Sequence, residues 1–169
     1  PLDGEVEPSG NKNAALPILA ACLLTDEKVI LDNVPNIQDV QTMSLLLQSF
    51  GVQIRCLDEH RWEVQASEVR PADIDADISS RIRASILLAG PIIARVGRLR
   101  LPPPGGDVIG RRRVDTHILA LQALGAHVKY NRYFLFESKG LKGAEILLDE
   151  SSVTATENTI MAAVTAKGL

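Results

Sequence analysis

Three segments of this chain begin alike and begin 71 residues apart. They are Lys12-Asn-Ala-Ala-Leu-Pro-Ile-Leu-Ala-Ala, Arg83-Ala-Ser-Ile-Leu-Leu-Ala-Gly-Pro-Ile and Thr154-Ala-Thr-Glu-Asn-Thr-Ile-Met-Ala-Ala. Each opens an almost wholly apolar run of about 12 residues, too long for a typical strand and rich in Ala and Leu, which predicts a helix buried on most sides. Self-similarity at such a period marks supersecondary units that cannot bury their apolar faces alone and so pack against one another. A coincidental periodicity within an ordinary α/β domain is the competing account.

The residues after the first two segments repeat as well. A β-like piece comes first, Lys28–Leu31 and then Arg98–Leu101. A proline-bearing turn leads into an amphipathic helix that ends at glycine, running from Val40 to Gly51 and from Val114 to Gly125. Two short alternating strands close each unit, residues 52–55 with 61–64 and residues 127–130 with 133–136. The unit reads α-β-α-β-β with a leading strand before it, at residues 5–8 in the first copy and 143–148 in the third. Repeat one spans about 3–70, repeat two about 71–140, and an incomplete repeat three about 141–169, stopping inside its first helix. The expected fold class is therefore α/β (α+β), with repeats around shared inner helices. The chain opens at Pro1 and closes at Leu169 as if cut at both ends, and closing the third copy takes roughly 40 more residues.

Composition narrows the function classes. With 46% hydrophobic and 23% charged residues, the 169-residue chain reads as a globular domain with about one core. A net charge of −3 supplies no global attraction to nucleic acid or an anionic membrane, so neither is an expected partner. Asn13, Pro17 and Asp26 bracket the longest apolar run, well short of a membrane span. The two cysteines, Cys22 and Cys56, are too few for a disulfide framework and fit a reducing cytoplasm. His60, His117 and His127 show no metal-ligand spacing.

Basic function has to be local, and the stretch 98–113 concentrates it. Arg98, Arg100, Arg111, Arg112 and Arg113 are interleaved with Gly105, Gly106 and Gly110. Glycine lets backbone approach a ligand closely, and guanidinium binds phosphate or carboxylate through a planar fork. Arg98 and Arg100 alternate with leucines and read as the solvent face of a strand, whereas Arg111 to Arg113 read as an anion site ahead of the helix near Val114. The glycine spacing matches neither a P-loop nor a dinucleotide fingerprint. Lys12 and Arg83 place cations at two equivalent helix starts, against the macrodipole, which makes anion binding an alternative to plain solvent exposure. Asp107, in the middle of the loop, reads on its own as a turn former, and Glu157 and Asn158 as ordinary first-turn residues.

Together these residues resemble one family. Ser9-Gly10-Asn11-Lys12-Asn13-Ala14-Ala15-Leu16-Pro17, Asn33-Val34-Pro35, Arg83-Ala84-Ser85-Ile86, Pro104-Gly105-Gly106-x-x-Ile109-Gly110-x-Arg112, Val114-Asp115-x-His117 and Ser152-Val153-x-Ala155-Thr156-Glu157-Asn158 are similar to the UDP-N-acetylglucosamine enolpyruvyl transferase family, in order along nearly the whole chain. The resemblance implies one lobe of an inverse α/β barrel built of βαβαββ units, with a second lobe missing here and the active site between the two. It implies transfer of the enolpyruvyl group of phosphoenolpyruvate to the sugar 3-hydroxyl with release of phosphate, by addition and elimination, in the bacterial cytoplasm and without a redox cofactor. That is the first committed step of peptidoglycan synthesis.

By position, the resemblance puts Lys12 and Arg112 on phosphoenolpyruvate, Asn13 at the sugar and Arg83 beside a mobile loop, the one containing Asp107. Val114, Asp115 and Thr116 contact the nucleotide, with Ser152 and Val153 near its phosphates. Three departures stand out. Asp107 occupies the place of the family's usual cysteine, the proposed proton donor to the methylene carbon and the target of fosfomycin. It can donate only while protonated, which desolvation under a closed loop favours and the neighbouring arginines oppose. Arg113 replaces a usual proline, adding a cation at the nucleotide site, and Thr154 replaces a usual glycine. Those departures keep a second expectation open, a non-catalytic nucleotide- or anion-binding paralogue.

Overall fold

The computed structural model describes residues 3–106 and 113–168. The chain runs α1 (Lys12–Ala21), β1 (Lys28–Leu31), α2 (Gln38–Ser49), β2 (Gln53–Cys56), β3 (Trp62–Gln65), α3 (Ala76–Arg81), α4 (Ala89–Val96), β4 (Arg98–Leu101), α5 (Asp115–Ala123), β5 (His127–Asn131), β6 (Tyr133–Glu137) and α6 (Val153–Ala163). Short 3-10 segments at Cys22–Leu24 and Arg83–Leu88 join α1 to β1 and α3 to α4.

Two antiparallel three-stranded sheets share one strand order, β1-β3-β2 and β4-β6-β5. In each, the last strand of the unit sits in the middle. Val64 pairs with Val29 on one side and Ile54 on the other, and Phe136 pairs with Leu99 and Val128. The period-two alternation sends Leu99 and Leu101 into the core and Arg98 and Arg100 outward, as expected. Arg98 faces Glu137 at 3.7 Å, while Arg100 meets Asp73 at 3.3 Å and stacks 3.8 Å over the Tyr133 ring. Gly51 and Gly125 end α2 and α5 with φ of 90° and 91°, the left-handed geometry that closes a helix most readily at glycine.

The apolar helices form the centre. α4 packs on α6, and α6 reaches α1 as well as α5. Leu19, Leu23, Leu88, Ala89, Ile92 and Ala162 are fully buried there or nearly so, each large aliphatic side chain contributing about 1.5–3 kcal/mol of transfer free energy. Arg95 on α4 ties the two units together, donating to the Leu23 carbonyl at 2.9 Å and the Ala66 carbonyl at 3.1 Å.

The helix expected from Arg83 is interrupted, and the cause is Asn158. Its side chain oxygen accepts the Gly90 N–H at 2.7 Å and its amide donates to the Ile86 carbonyl at 3.2 Å. Those two backbone groups are i and i−4 partners, so a carboxamide from α6 stands in for one α-helical bond. Pro91, lacking an N–H, removes the next. The segment before α4 consequently winds as a 3-10 turn. Gly90 is required at that crossing, since a Cβ there would stand 2.6 Å from Asn158 Oδ1 and closer still to its carbonyl.

Three further expectations differ. Helix α3 is an addition to the expected unit; Asp75 caps it by accepting from the N–H of Asp77 at 2.8 Å and of Ile78 at 3.2 Å. Residues 5–8 and 143–148 form no strand; among the described residues the isolated bridges are two parallel ones, Asp73 with Arg100 and, just before the third leading position, Lys142 with Lys167. Finally, α6 is complete at Ala163, and the chain continues past it to the Lys167 bridge.

Candidate active site

Residues 12, 83 and 154, the three equivalent positions of the 71-residue repetition, line a single cavity of about 640 Å³. Each lies at the start of a helical segment: Lys12 on α1, Arg83 on the 3-10 turn before α4, and Thr154 in the first turn of α6. Packing of α6 against α1 and α4, and of α1 against the 3-10 turn before α4, brings these starts to the same end of the core. Asn11 and Ser152 fix two of them by capping, accepting from the N–H of Ala14 at 3.1 Å and of Ala155 at 3.3 Å.

Around that centre stand Arg81, Arg113 and Gly106, with Asp39, Glu150 and Glu157 as carboxylates. Among the described residues, four cations and three carboxylates line the cavity, a concentration of charge in one place. Lys12 forms an ion pair with Asp39, from the first turn of α2. Arg83 donates from Nη2 to the Arg113 carbonyl at 2.8 Å. The Arg113 side chain turns to carboxylates, with Nε donating to Asp115 Oδ2 at 2.8 Å and Nη2 standing 3.5 Å from Asp149 Oδ2. The hydrogen bond and charge of Asp115 raise the guanidinium's already high pKa. Burial raises the pKa of Glu157 from its ordinary value.

His117 is 3% exposed, and its ring forms part of the wall. Desolvation first, then the nearby Arg83 charge, lower its pKa to about 4, so it is neutral at neutral pH. Its Nδ1 lies 3.1 Å from Asn158 Nδ2 and its Nε2 lies 3.2 Å from Thr154 Oγ1.

Of the residues singled out from sequence, Lys12, Asn13, Arg83, Arg113, Ser152 and Val153 come together in the cavity. Val114 and Asp115 sit at the start of α5 outside its lining, and Thr116 is buried with its hydroxyl unsatisfied among the described residues. Asp107, Arg111 and Arg112 lie outside the described residues. The chain entering that stretch is anchored: Gly106 N–H donates to the Ser80 carbonyl at 2.9 Å, and a Cβ on Gly105 would overlap the same carbonyl. Asp39, Arg81, His117, Glu150 and Glu157 were not assigned to the site by sequence reasoning. For His117 the signal was its place one turn into a helix that starts at Val114-Asp115.

The sequence pattern of the EPSP synthase (3-phosphoshikimate 1-carboxyvinyltransferase) family matches residues 1–169. The chain is 54% identical over 168 residues to a UDP-N-acetylglucosamine 1-carboxyvinyltransferase of Bradyrhizobium diazoefficiens, covering 99% of this chain and 39% of that protein. It is 50% identical, with the same coverage, to the protein of that name from Treponema denticola. The chain thus spans about 39% of the length of these curated relatives. Two solved structures share the fold: EPSP synthase from Acinetobacter baumannii (TM-score 0.78, 15% identity, 98% of this chain and 39% of that one) and the enolpyruvyl transferase NikO from Streptomyces tendae (TM-score 0.74, 22% identity, 97% and 38%). Matched by the family pattern from its first residue to its last, the chain belongs to the EPSP synthase family.

Proposed function

We propose that the complete protein transfers the enolpyruvyl group of phosphoenolpyruvate to the 3-hydroxyl of UDP-N-acetylglucosamine and releases phosphate, the first committed step of peptidoglycan synthesis in the bacterial cytoplasm. The observation that carries this reading is the convergence of Lys12, Arg83 and Thr154, one from each repeated helix start, on one cation-rich cavity. The relatives from Bradyrhizobium diazoefficiens and Treponema denticola carry the name of that reaction. Both substrates are anions, and positive side chains fixed in a concave site bind such groups without reorganising during the reaction.

In the proposed reaction the 3-hydroxyl releases its proton to solvent as its oxygen adds to C2 of phosphoenolpyruvate, while another proton is delivered to C3, giving a tetrahedral ketal. Loss of a proton from the new methyl group expels phosphate and restores the double bond. By family resemblance, Lys12 and Arg112 hold phosphoenolpyruvate and Asp107 delivers the proton. Asn13 addresses the sugar, and Arg113, Val114, Asp115, Thr116, Ser152 and Val153 address the nucleotide. Lys12 already has Asp39 as its carboxylate partner, so phosphoenolpyruvate competes for a charge held in place rather than for a free side chain. The remaining length seen in the relatives supplies the facing lobe in this reading, and residues 1–169 alone turn over negligibly.

Phosphate release by the complete protein, dependent on both substrates, is the test. Binding of UDP-N-acetylglucosamine without phosphate release would instead assign a non-catalytic, nucleotide-binding paralogue.

A further inference from the structure

The hydrogen-bond chain running from the core to the cavity wall has a direction, and the direction can be deduced. Asn158 is completely buried. The Gly90 N–H can only donate, so the atom 2.7 Å from it is the Asn158 oxygen, and the amide nitrogen faces Ile86 and His117. The Ile86 carbonyl takes one amide proton and His117 Nδ1 takes the other. A ring nitrogen that accepts carries no proton, so the neutral imidazole holds its proton on Nε2. Nε2 therefore donates to Thr154 Oγ1 across 3.2 Å. Thr154, exposed at the cavity wall, is left with its own hydroxyl proton to give, and no acceptor for it is present among the described residues.

We infer that Thr154 is a substrate-positioning residue: the Asn158–His117 relay occupies one lone pair of its hydroxyl and leaves its proton to donate to a phosphoryl oxygen bound in this cavity. The inference rests on the transferase reading for the identity of the ligand and on the relay for the polarity of the hydroxyl. Among its wall neighbours, Ser152 likewise accepts, from the Ala155 N–H, and keeps its hydroxyl proton, while Val153 has no polar side chain. Thr154 thus adds a second hydroxyl donor beside Ser152 on this wall. A glycine at this position, usual in the family it resembles, has no such group, and the buried imidazole would lose its Nε2 acceptor. The phosphoryl oxygen belongs either to the nucleotide diphosphate or to phosphoenolpyruvate, and separate titrations distinguish the two.

The test uses the complete protein and the variants Thr154→Val, which keeps the shape and removes the hydroxyl, and Thr154→Ser, which restores it. Thr154→Val should weaken binding of UDP-N-acetylglucosamine, or raise the KM for phosphoenolpyruvate at saturating nucleotide, by roughly 5- to 20-fold, the scale of one hydrogen bond to a charged group. Thr154→Ser should restore that ligand to within about twofold, while binding of uridine, which has no phosphate, stays unchanged. Long-range proton–nitrogen NMR of the His117 ring should report the Nε2–H tautomer. Unchanged affinity for both substrates in Thr154→Val, equal loss for uridine, or an Nδ1–H tautomer overturns the inference. If the unmodified protein binds inorganic pyrophosphate but no sugar nucleotide, the transferase reading fails while the same variant pair, titrated with pyrophosphate, still decides the role of Thr154. Binding of neither ligand overturns both.

Discussion

Nδ1 of His117 accepts from the side-chain amide of Asn158 at 3.1 Å, a bond available only to a neutral imidazole. Protonating the ring would set two donors face to face inside the core, beside the Arg83 charge. Burial is the larger reason its pKa falls from 6.5 to about 4.

That shift makes stability depend on pH with a definite sign. Between pH 6.5 and about 4 the unfolded chain binds a proton that the folded chain refuses, so the contribution is full above pH 6.5 and is lost as pH falls toward 4. The whole shift corresponds to about 3 kcal/mol as an upper bound. Urea unfolding of the unmodified protein and of His117→Gln at pH 7, 5.5 and 4.5 should show the difference between them shrinking as pH falls. A constant difference would mean that His117 titrates normally.

The crossing of α4 and α6 at Gly90 sets a second expectation. A methyl group there meets both the carbonyl and the side-chain oxygen of Asn158, and the displaced carboxamide leaves the Gly90 N–H and Nδ1 of His117 without their partner. Gly90→Ala should cost about 2–4 kcal/mol, the sum of overpacking and lost buried hydrogen bonds, although alanine is the better helix former. Chemical denaturation measures it, and a neutral or stabilising result would mean that the two helices can separate freely.

Whether a feature was legible in the sequence depends on how local its cause is. The repeated helix starts were legible, because burial imposes a period that survives divergence of the individual residues; Lys12, Arg83 and Thr154 are three different residues yet line one cavity. The alternation that exposes Arg98 and Arg100 was also visible, being a two-residue pattern. Asn158 was not. It reads as an ordinary first-turn residue, and its role depends on backbone groups 68 and 72 positions away. The same distance hid the break at Gly90, since the missing helical bond is supplied by another element. Asp39 escaped because its pairing with Lys12 joins two helices through no local motif. The leading strands were over-read, since strand propensity at residues 5–8 and 143–148 meets no ladder to join.

Gly105 and Gly106 anchor the chain where it enters the arginine-rich stretch. The Ser80 carbonyl accepts from Gly106 and leaves no space for a Cβ on Gly105. Gly106 has φ of 91°, and a Cβ on it would stand 3.0 Å from the Arg83 amide nitrogen. Gly105→Ala should therefore displace the start of the 107–112 stretch relative to Arg83. Under the transferase reading, the complete protein should then lose at least tenfold in kcat/KM for phosphoenolpyruvate, with a stability loss of about 1–3 kcal/mol. Parallel denaturation and kinetic measurements separate the two effects; unaltered kinetics would show that the anchor has no part in placing that stretch.

The most direct chemical prediction concerns Asp107, which stands where the family that this chain resembles usually has cysteine. Fosfomycin alkylates that thiol, and a carboxylate in its place is a far poorer nucleophile toward the reagent. Under the transferase reading, the complete protein should keep its phosphate release in fosfomycin, Asp107→Cys should become sensitive and gain a covalent adduct visible by mass spectrometry, and Asp107→Ala should lose at least 100-fold in turnover, the scale of a removed general acid. The three outcomes are linked through one position. An adduct on the unmodified protein at residues 107–112 would refute the insensitivity, and full activity in Asp107→Ala would remove Asp107 from the proton-donor role; neither outcome changes the grouping of Lys12 and Arg83 in one cavity.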